Sequence, residues 1–298
     1  MNNIVSQTLI LREAKESWRK RIRESPVYPF THEMRLVEKI ARTIPDGKDL
    51  VILGGGVGLL PQLMKRITAL REVINIEIAP VRHSYVPTVQ ADMEEPFRGK
   101  ISHLNKPVIV GAFSIEYTDA RKTTANIADA LEEGEKFVWV AHHEESSIVR
   151  QLRRERQLTE KLIEYRDRIF GDGINLEEAK KLNKEVNLIF EEDHDLIKMR
   201  PTKVTELIVR RNLNYEYGRV IIIFSRLRFD PQRAEEEYDK WMEFGKFGMK
   251  ASAPLFSGIQ LTEEGIRKNT DPRLKATKSE IYEFDFMPKA IICEFERN

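Results

Sequence analysis

The pattern of apolar and polar positions divides the chain into stretches of different kind. Residues 50–53, Leu-Val-Ile-Leu, form a short unbroken apolar run directly after the turn signal Pro45-Asp46-Gly47. Its length and branched side chains predict a buried strand. Runs at 73–78, at a short segment reaching Ala91-Asp92, at 107–113 and at 136–141 carry the same signature. Between them the apolar positions recur at helical spacing over 59–70 and 119–131, the second stretch closed by Glu132-Glu133-Gly134. Strands alternating with helices predict a parallel sheet covered on both faces, with ligand chemistry at the carboxyl ends of its strands.

The flanking stretches differ. Residues 9–23 read as a charged helix with Leu9, Leu11, Ala14, Trp18 and Ile22 on its apolar face, and a second helix is expected from a cap at Thr31 to about residue 43. Arg19, Lys20, Arg21 and Arg23 alternate with Glu13, Glu16 and Glu24, as on a solvated face. Residues 148–211 are helical and charge-rich without a strand signal, broken near Gly171-Asp172-Gly173, and read as an insertion or lid. The remainder returns to strand composition at 219–225, then a helix at 232–244 and a Gly/Ser/Pro-containing loop region. It closes on a hairpin of 281–286 with 290–295 at a sheet edge. The expected organisation is therefore N-terminal helices (1–44), a sheet core (45–147), a helical insertion (148–211) and a C-terminal part completing the sheet (212–298).

Composition narrows the function. The 298 residues are 41% hydrophobic and 33% charged, enough for a real core under a charged surface. With 49 basic against 48 acidic side chains the net charge is +1, so no overall field recruits nucleic acid or an anionic membrane. The single cysteine, Cys293, excludes an internal disulfide or a zinc site of several thiolates, as suits the reducing cytoplasm. The longest apolar run, 220–224, is far short of the ~20 residues of a membrane helix, and the first residues lack a signal-peptide pattern. Neither a membrane segment nor a metal site is expected.

Gly54-Gly55-Gly56-Val57-Gly58 joins the first strand to the following helix, where missing Cβ atoms let backbone approach a ligand. A dinucleotide fingerprint would require another glycine or alanine after two intervening residues, but Leu59 and Pro61 stand there. A tight turn without ligand is the competing reading. Residues 53–58 resemble the first motif of class I S-adenosylmethionine-dependent methyltransferases. The same order of elements follows: an acidic residue ending the second strand, Ala-Asp-Met after the third, an apolar fourth, and a helix ending in Glu-Gly before the fifth. The resemblance covers residues 48–147.

That resemblance implies an α/β Rossmann-like methyltransferase sheet, S-adenosyl-L-methionine as cofactor, and a cofactor site built from Gly54, Gly55, Gly56, Glu77, Ile78, Asp92, Met93, Ala112 and Phe113. By it, Glu77 would bind both ribose hydroxyls, Asp92 would accept from the adenine amino group and Met93 would pack on the ring. A solvated strand-end charge and a turn cap are the alternatives for the two acids. The sequence departs from the pattern at Ile52, where the family commonly has an acidic residue helping to hold the methionine end. Either backbone carbonyls near Gly54 and Ala112 do that work, or the site is weakened.

Methyl transfer is an in-line displacement, so the protein must align the acceptor and remove any proton it carries. Glu116 and Tyr117 after the fourth strand and His142, His143 and Glu144 after the fifth are placed for this, and the imidazoles have the unperturbed pKa nearest neutrality. Capping roles compete for each. Tyr28, Phe30, His32, His83 and Tyr85 either line the acceptor site or pack under the N-terminal helices. Arg150, Arg153, Arg154 and Arg156 either bind a phosphate-bearing acceptor or form a solvated face beside Glu155 and Glu160. The leading expectation is an enzyme methylating a small molecule. A binding protein that has lost transfer, motivated by Ile52, and an RNA or protein methyltransferase are the alternatives. Against base methylation, residues 113–116 read Phe-Ser-Ile-Glu rather than an Asn-Pro-Pro-Tyr-type sequence. A homodimer is compatible with all of these.

Overall fold

A computed structural model of the protein describes residues 9–10, 12–17, 19, 34–56, 58–81, 84–199, 223, 226–227, 229–257, 261–284 and 287–298. The strands are β1 (Leu50–Leu53), β2 (Val73–Glu77), β3 (Thr88–Gln90), β4 (Val108–Ala112), β5 (Lys136–His142), β6 (Leu274–Phe284) and β7 (Met287–Arg297). They form one sheet in the order β3-β2-β1-β4-β5-β7-β6. β1 to β5 pair in parallel, and β7 runs antiparallel to β5, from Lys136↔Glu296 to His142↔Ala290. This is the Rossmann-like α/β sheet that the alternation of elements implies.

The unbroken apolar run of β1 follows from its central place: Leu50, Val51, Ile52 and Leu53 are all fully buried. Val51 and Leu53 face one side, where Ile109, Phe137, Trp139 and Phe295 pack with Ile127. Leu50 and Ile52 face the other, against Val108, Val110, Val138 and Val140. That second face is covered by α1 (Met34–Ala41) and α2 (Leu59–Ile67) through Leu36, Ile40, Leu60 and Met64. A short helix α3 (Arg98–Ile101) follows β3. Next, α4 (Ala120–Ala130) is capped by Asp119, which accepts from Lys122 N–H at 3.1 Å. The sheet is anchored below by fully buried Asp49, which accepts from Arg71 Nε and Asn105 N–H, each at 2.7 Å, and from Arg71 Nη2.

The chain divides into two compact units, Met1–Ser146 with Ala251–Phe284 and Pro288–Asn298, and Ser147–Lys250 with Asp285–Met287. The described elements of residues 147–250 are helical: α5 (Ser147–Phe170), α6 (Leu176–Met199) and the greater part of α7 (Pro231–Ser257). Leu162, Tyr165, Ile169, Leu182, Val186 and Tyr238 form the core of that unit. Arg166 joins its helices by bonds to Asp239 at 3.0 and 2.9 Å and to Glu235 at 2.7 Å. A last helix, α8 (Glu263–Lys268), precedes β6.

Several sequence expectations require correction. Of the strand expected at 219–225 only Ile223 is described, and it is helical, its carbonyl accepting from Leu227 N–H at 3.2 Å. The glycine- and proline-containing region after residue 244 is not a loop, since α7 continues through it to Ser257. The C-terminal strands are longer than the hairpin read from sequence, each spanning 11 residues. Arg154 is 9% exposed, so the arginines of 150–156 are not one solvated face. Tyr28, Phe30, His32, His83, Leu11, Trp18, Ile22 and Thr31 lie outside the described residues. Among the described residues, no helix is long and apolar enough to cross a membrane.

Candidate functional site

The glycine loop leaves β1 through Gly54 and Gly56, whose φ values of 67° and 57° lie in the left-handed region that glycine adopts without strain. Its amides are already engaged within the protein. Gly54 N–H donates to Ile76 O at 2.8 Å, Gly55 N–H to Asn75 Oδ1 at 3.1 Å, Gly56 N–H to Glu77 Oε2 at 2.9 Å and Gly58 N–H to Gly55 O at 2.9 Å. A pyrophosphate needs such N–H groups pointing outward. Here the amides of Gly55 and Gly56 are instead taken by the Asn75 and Glu77 side chains of β2, while Gly54, Gly55 and Gly56 remain half-buried. A Cβ on Gly54 would meet Met93 Cε at 3.2 Å, whereas a Cβ on Gly56 would meet nothing within 4 Å.

Glu77 ends β2 and is 4% exposed, so it is not a solvated strand-end charge. Its second oxygen accepts from Ile78 N–H at 2.7 Å. Burial pushes its carboxyl above the usual range, against the pull of the amides of Ile78, Gly56 and Ala79. Among the described residues no cation pairs with it, and a buried carboxylate held only by amides marks a candidate functional site.

Asn75 was not anticipated from sequence. It is fully buried, and besides accepting from Gly55 its amide donates to Gly56 O at 2.9 Å and to Thr88 Oγ1 at 3.3 Å. The signal was a lone carboxamide inside the apolar strand Val-Ile-Asn-Ile-Glu.

Asp92 sits in the turn after β3. Oδ1 accepts from Glu94 N–H at 3.0 Å, and Oδ2 receives Lys15 Nζ at 3.0 Å, which also bonds Glu94 at 2.7 Å. It is thus both a turn acceptor and an anchor for the N-terminal helical segment. Met93 is buried beside Gly54, its carbonyl accepting from Asn126 at 3.2 Å.

At the end of β4, Ala112 and Phe113 are half-buried, and Phe113 has a φ of 54°, a conformation costing a non-glycine residue on the order of 1–3 kcal/mol. Ser114 Oγ donates to Leu53 O at 2.8 Å, joining this turn to the end of β1. A 3₁₀ turn over Ile115–Tyr117 then directs Glu116 inward. Glu116 and His142 are each 1% exposed. Glu116 Oε1 accepts from His142 N–H at 3.0 Å and lies 2.8 Å from His142 Nδ1. Among the described residues Glu116 Oε2 and His142 Nε2 have no hydrogen-bond partner. The Phe113 ring meets the imidazole edge-on at 4.5 Å between centroids and the Tyr117 ring at 6.1 Å.

His143, by contrast, closes a turn. Its Nδ1 accepts from Glu145 N–H at 3.0 Å and its carbonyl from Ser146 N–H at 2.9 Å. Tyr85 and Glu144 are exposed. The structure therefore gathers Gly54–Gly56, Glu77 and Ile78 at the ends of β1 and β2, and Phe113, Glu116, Tyr117 and His142 at the ends of β4 and β5. Among the described residues no group of acids, histidines and cysteine has the arrangement of a metal site.

No protein-family model matches the sequence, and no curated protein matches it. Among solved structures, the chain is similar to the N-methyltransferase NodS from Bradyrhizobium japonicum WM9 in complex with S-adenosyl-L-homocysteine, with 11% identity and a TM-score of 0.34 over 44% of this chain and 74% of that one. It is similar to the Haemonchus contortus phosphoethanolamine N-methyltransferase 2 bound to phosphomonomethylethanolamine and S-adenosylhomocysteine, with 12% identity, TM-score 0.34 and 89% of this chain aligned. That alignment spans about half, 52%, of the Haemonchus chain. A third similarity is to a structure concerned with conversion of a disulfide bond into a thioacetal group during echinomycin biosynthesis, at 8% identity, TM-score 0.43, and 89% and 81% of the two chains. Similarity at this level is confined to the fold. By its strand order, its parallel β1 to β5 and its antiparallel β7, the chain has the Rossmann-like fold of the class I methyltransferases.

Proposed function

We propose that the protein binds S-adenosyl-L-methionine across the carboxyl ends of β1, β2 and β4 and transfers its methyl group to a small-molecule acceptor. The observation that carries this reading is Glu77: a carboxylate 4% exposed, held by the amides of Gly56 and Ile78 one strand from the glycine loop. A carboxylate has about four acceptor sites, and with the amides of Gly56, Ile78 and Ala79 drawing on it there remains capacity to accept from a ribose hydroxyl. The engaged amides of the loop argue against a pyrophosphate and hence against a nicotinamide dinucleotide. Asp92 and Met93 are assigned to the adenine end, and Ile78, Ala112 and Phe113 to the walls.

When bound, the cofactor supplies an electrophilic methyl group on a sulfonium. The chain's own task is to orient the acceptor and take its proton. Because ionised Glu116 only accepts, its bond to His142 Nδ1 places the ring proton there and leaves Nε2 as the basic atom. We assign His142 as proton acceptor and Glu116 as the residue fixing its tautomer. Tyr117 borders the pair, and His143 is the weaker candidate because Nδ1 already closes a turn.

Calorimetric titration with S-adenosylmethionine, S-adenosylhomocysteine and NAD tests the reading. Binding of the first two and not the third is expected, and NAD binding alone would overturn it. A binding protein that has lost transfer is the second reading, favoured by Ile52. Release of S-adenosylhomocysteine in the presence of a pool of small-molecule acceptors separates the two.

A further inference from the structure

We propose that the methyl acceptor is an amine, taken up as its ammonium ion by the Glu116–His142 pair. This rests on the assignment of the cofactor site above and deepens it.

The two side chains are each 1% exposed, yet Glu116 Oε2 and His142 Nε2 have no partner among the described residues. Oε1 is occupied twice, by the backbone N–H and by Nδ1 of His142. With the ring proton held on Nδ1, both vacant atoms are acceptors, and the pair carries one net negative charge. Buried acceptors and a buried charge cost free energy unless a partner satisfies them. Because Nδ1 is bonded to Oε1, Nε2 points to the far side of the ring from Glu116, so the fitting partner donates an N–H to Nε2 and meets the charge of the pair with a positive charge of its own. Half-buried Phe113 and Tyr117 border the imidazole, and aromatic rings also favour a cation. A carboxylate or phosphate would set lone pairs against lone pairs. An alcohol brings one donor and no charge.

The chemistry closes on the same atoms. The ammonium gives one N–H proton to His142 Nε2, and the imidazolium so formed is paired with the Glu116 carboxylate. The freed nitrogen lone pair forms the N–CH₃ bond as the C–S bond breaks and its electrons pass to sulfur. The products are a methylammonium and S-adenosylhomocysteine, and His142 returns its proton to solvent. Two positive charges enter, on ammonium and sulfonium, and two leave, on methylammonium and imidazolium.

The test uses the full chain saturated with S-adenosylhomocysteine and titrated with benzylamine, benzyl alcohol and benzoate, which share a ring and differ in head group. Benzylamine should bind at least about tenfold more tightly than benzyl alcohol, with no binding of benzoate. Glu116→Gln should abolish that preference and leave S-adenosylhomocysteine affinity unchanged. Equal affinities for amine and alcohol, or none for the amine, overturn the amine assignment while the cofactor site stands. Absence of S-adenosylhomocysteine binding overturns the site itself. Should Glu116→Gln not fold, nitrogen NMR of the histidine-labelled wild type decides. Benzylamine must shift the His142 Nε2 resonance as a new hydrogen bond does, and an unmoved resonance with amine bound overturns the proposal.

Discussion

Two neighbouring glycines should separate stability from binding. At Gly55 a Cβ would run into Asn75 Oδ1 well inside van der Waals contact and meet Ile52 Cγ2 at 3.0 Å. Asn75 cannot swing aside, because it is fully buried and bonded to Gly55 N–H, Gly56 O and Thr88 Oγ1. Gly55→Ala must therefore break bonds worth about 1 kcal/mol each or overpack a rigid site at about 1–3 kcal/mol, giving about 2–4 kcal/mol in total. At Gly56 the same methyl meets nothing within 4 Å, and only the φ of 57° penalises it, by about 1–2 kcal/mol. That open space is where the proposed cofactor lies against the loop. Amide hydrogen exchange of β1 and β2 reads the first effect, with a ~30- to ~1,000-fold acceleration expected in Gly55→Ala and about tenfold in Gly56→Ala. Calorimetry reads the second: Gly56→Ala should lose S-adenosylhomocysteine binding while its sheet stays protected. If Gly56→Ala binds normally, the cofactor does not approach the loop there. If Gly55→Ala is as protected as wild type, Asn75 is not the constraint.

Further outcomes follow from the buried groups. Glu77→Gln should weaken cofactor binding by about 1–3 kcal/mol, measured by calorimetry, because the charged acceptor assigned to the ribose is lost. In wild type, burial raises the Glu77 carboxyl above its ordinary value of 4.5, so the folded state holds that proton more tightly. Its contribution to stability is therefore largest below pH 4.5 and declines as pH rises through the raised folded value, and urea titrations of wild type against Glu77→Gln should show that slope only in wild type. Asp49 has the opposite sign: bonding to Arg71 lowers its carboxyl below 3.8, so its contribution is present above that pH and is lost as pH falls through the lowered folded value. Asp49→Asn should flatten that acid limb and cost about 1–3 kcal/mol in denaturant unfolding. Cys293 is fully buried and its thiol is pushed up to about 12 by burial, so alkylation at pH 8 should label it only after denaturation.

What could be read from sequence was what local periodicity encodes. β1, the glycine loop and α2 were legible because a central parallel strand, buried on both faces, leaves a continuous apolar run. Glu77 was legible as a position and not as a buried group. The contact of Glu116 with His142 spans 26 residues and depends on the β4–β5 register, Ala112↔Val140, together with the turn at Ile115–Tyr117. No local signal encodes such a pairing. The ion pair of Lys15 with Asp92 joins residues 77 apart and was equally hidden. Gly245, Gly248 and Pro254 read as loop residues but lie inside α7. At Gly245 the reason is close packing, since a Cβ there would collide with the Thr159 side chain. A glycine required by a neighbour looks in sequence like a glycine required by a turn.

Ile52 can be weighed against the same geometry. Ile52 and Asn75 are partners across the β1–β2 ladder, so their side chains stand on one face, beneath the loop at Gly55. That face is apolar, built from Leu36, Ile40, Leu60 and Met64, and a carboxylate at 52 would be desolvated there. Asn75, one strand away, ties the loop without a charge. It accepts from Gly55 N–H and donates to Gly56 O, two opposite roles that an ionised acid cannot combine. The loop is therefore held in its left-handed turns with isoleucine at 52, and the missing acid is not by itself a reason to regard the site as weakened. The distinction between an enzyme and a binding protein then falls on β4 and β5. On the proposed reading, transfer is what a strained Phe113 and a buried carboxylate–imidazole pair, with Glu116 Oε2 and His142 Nε2 unpartnered among the described residues, would serve. Both features cost stability, and they stand together at the ends of the strands where an acceptor would meet the methyl group.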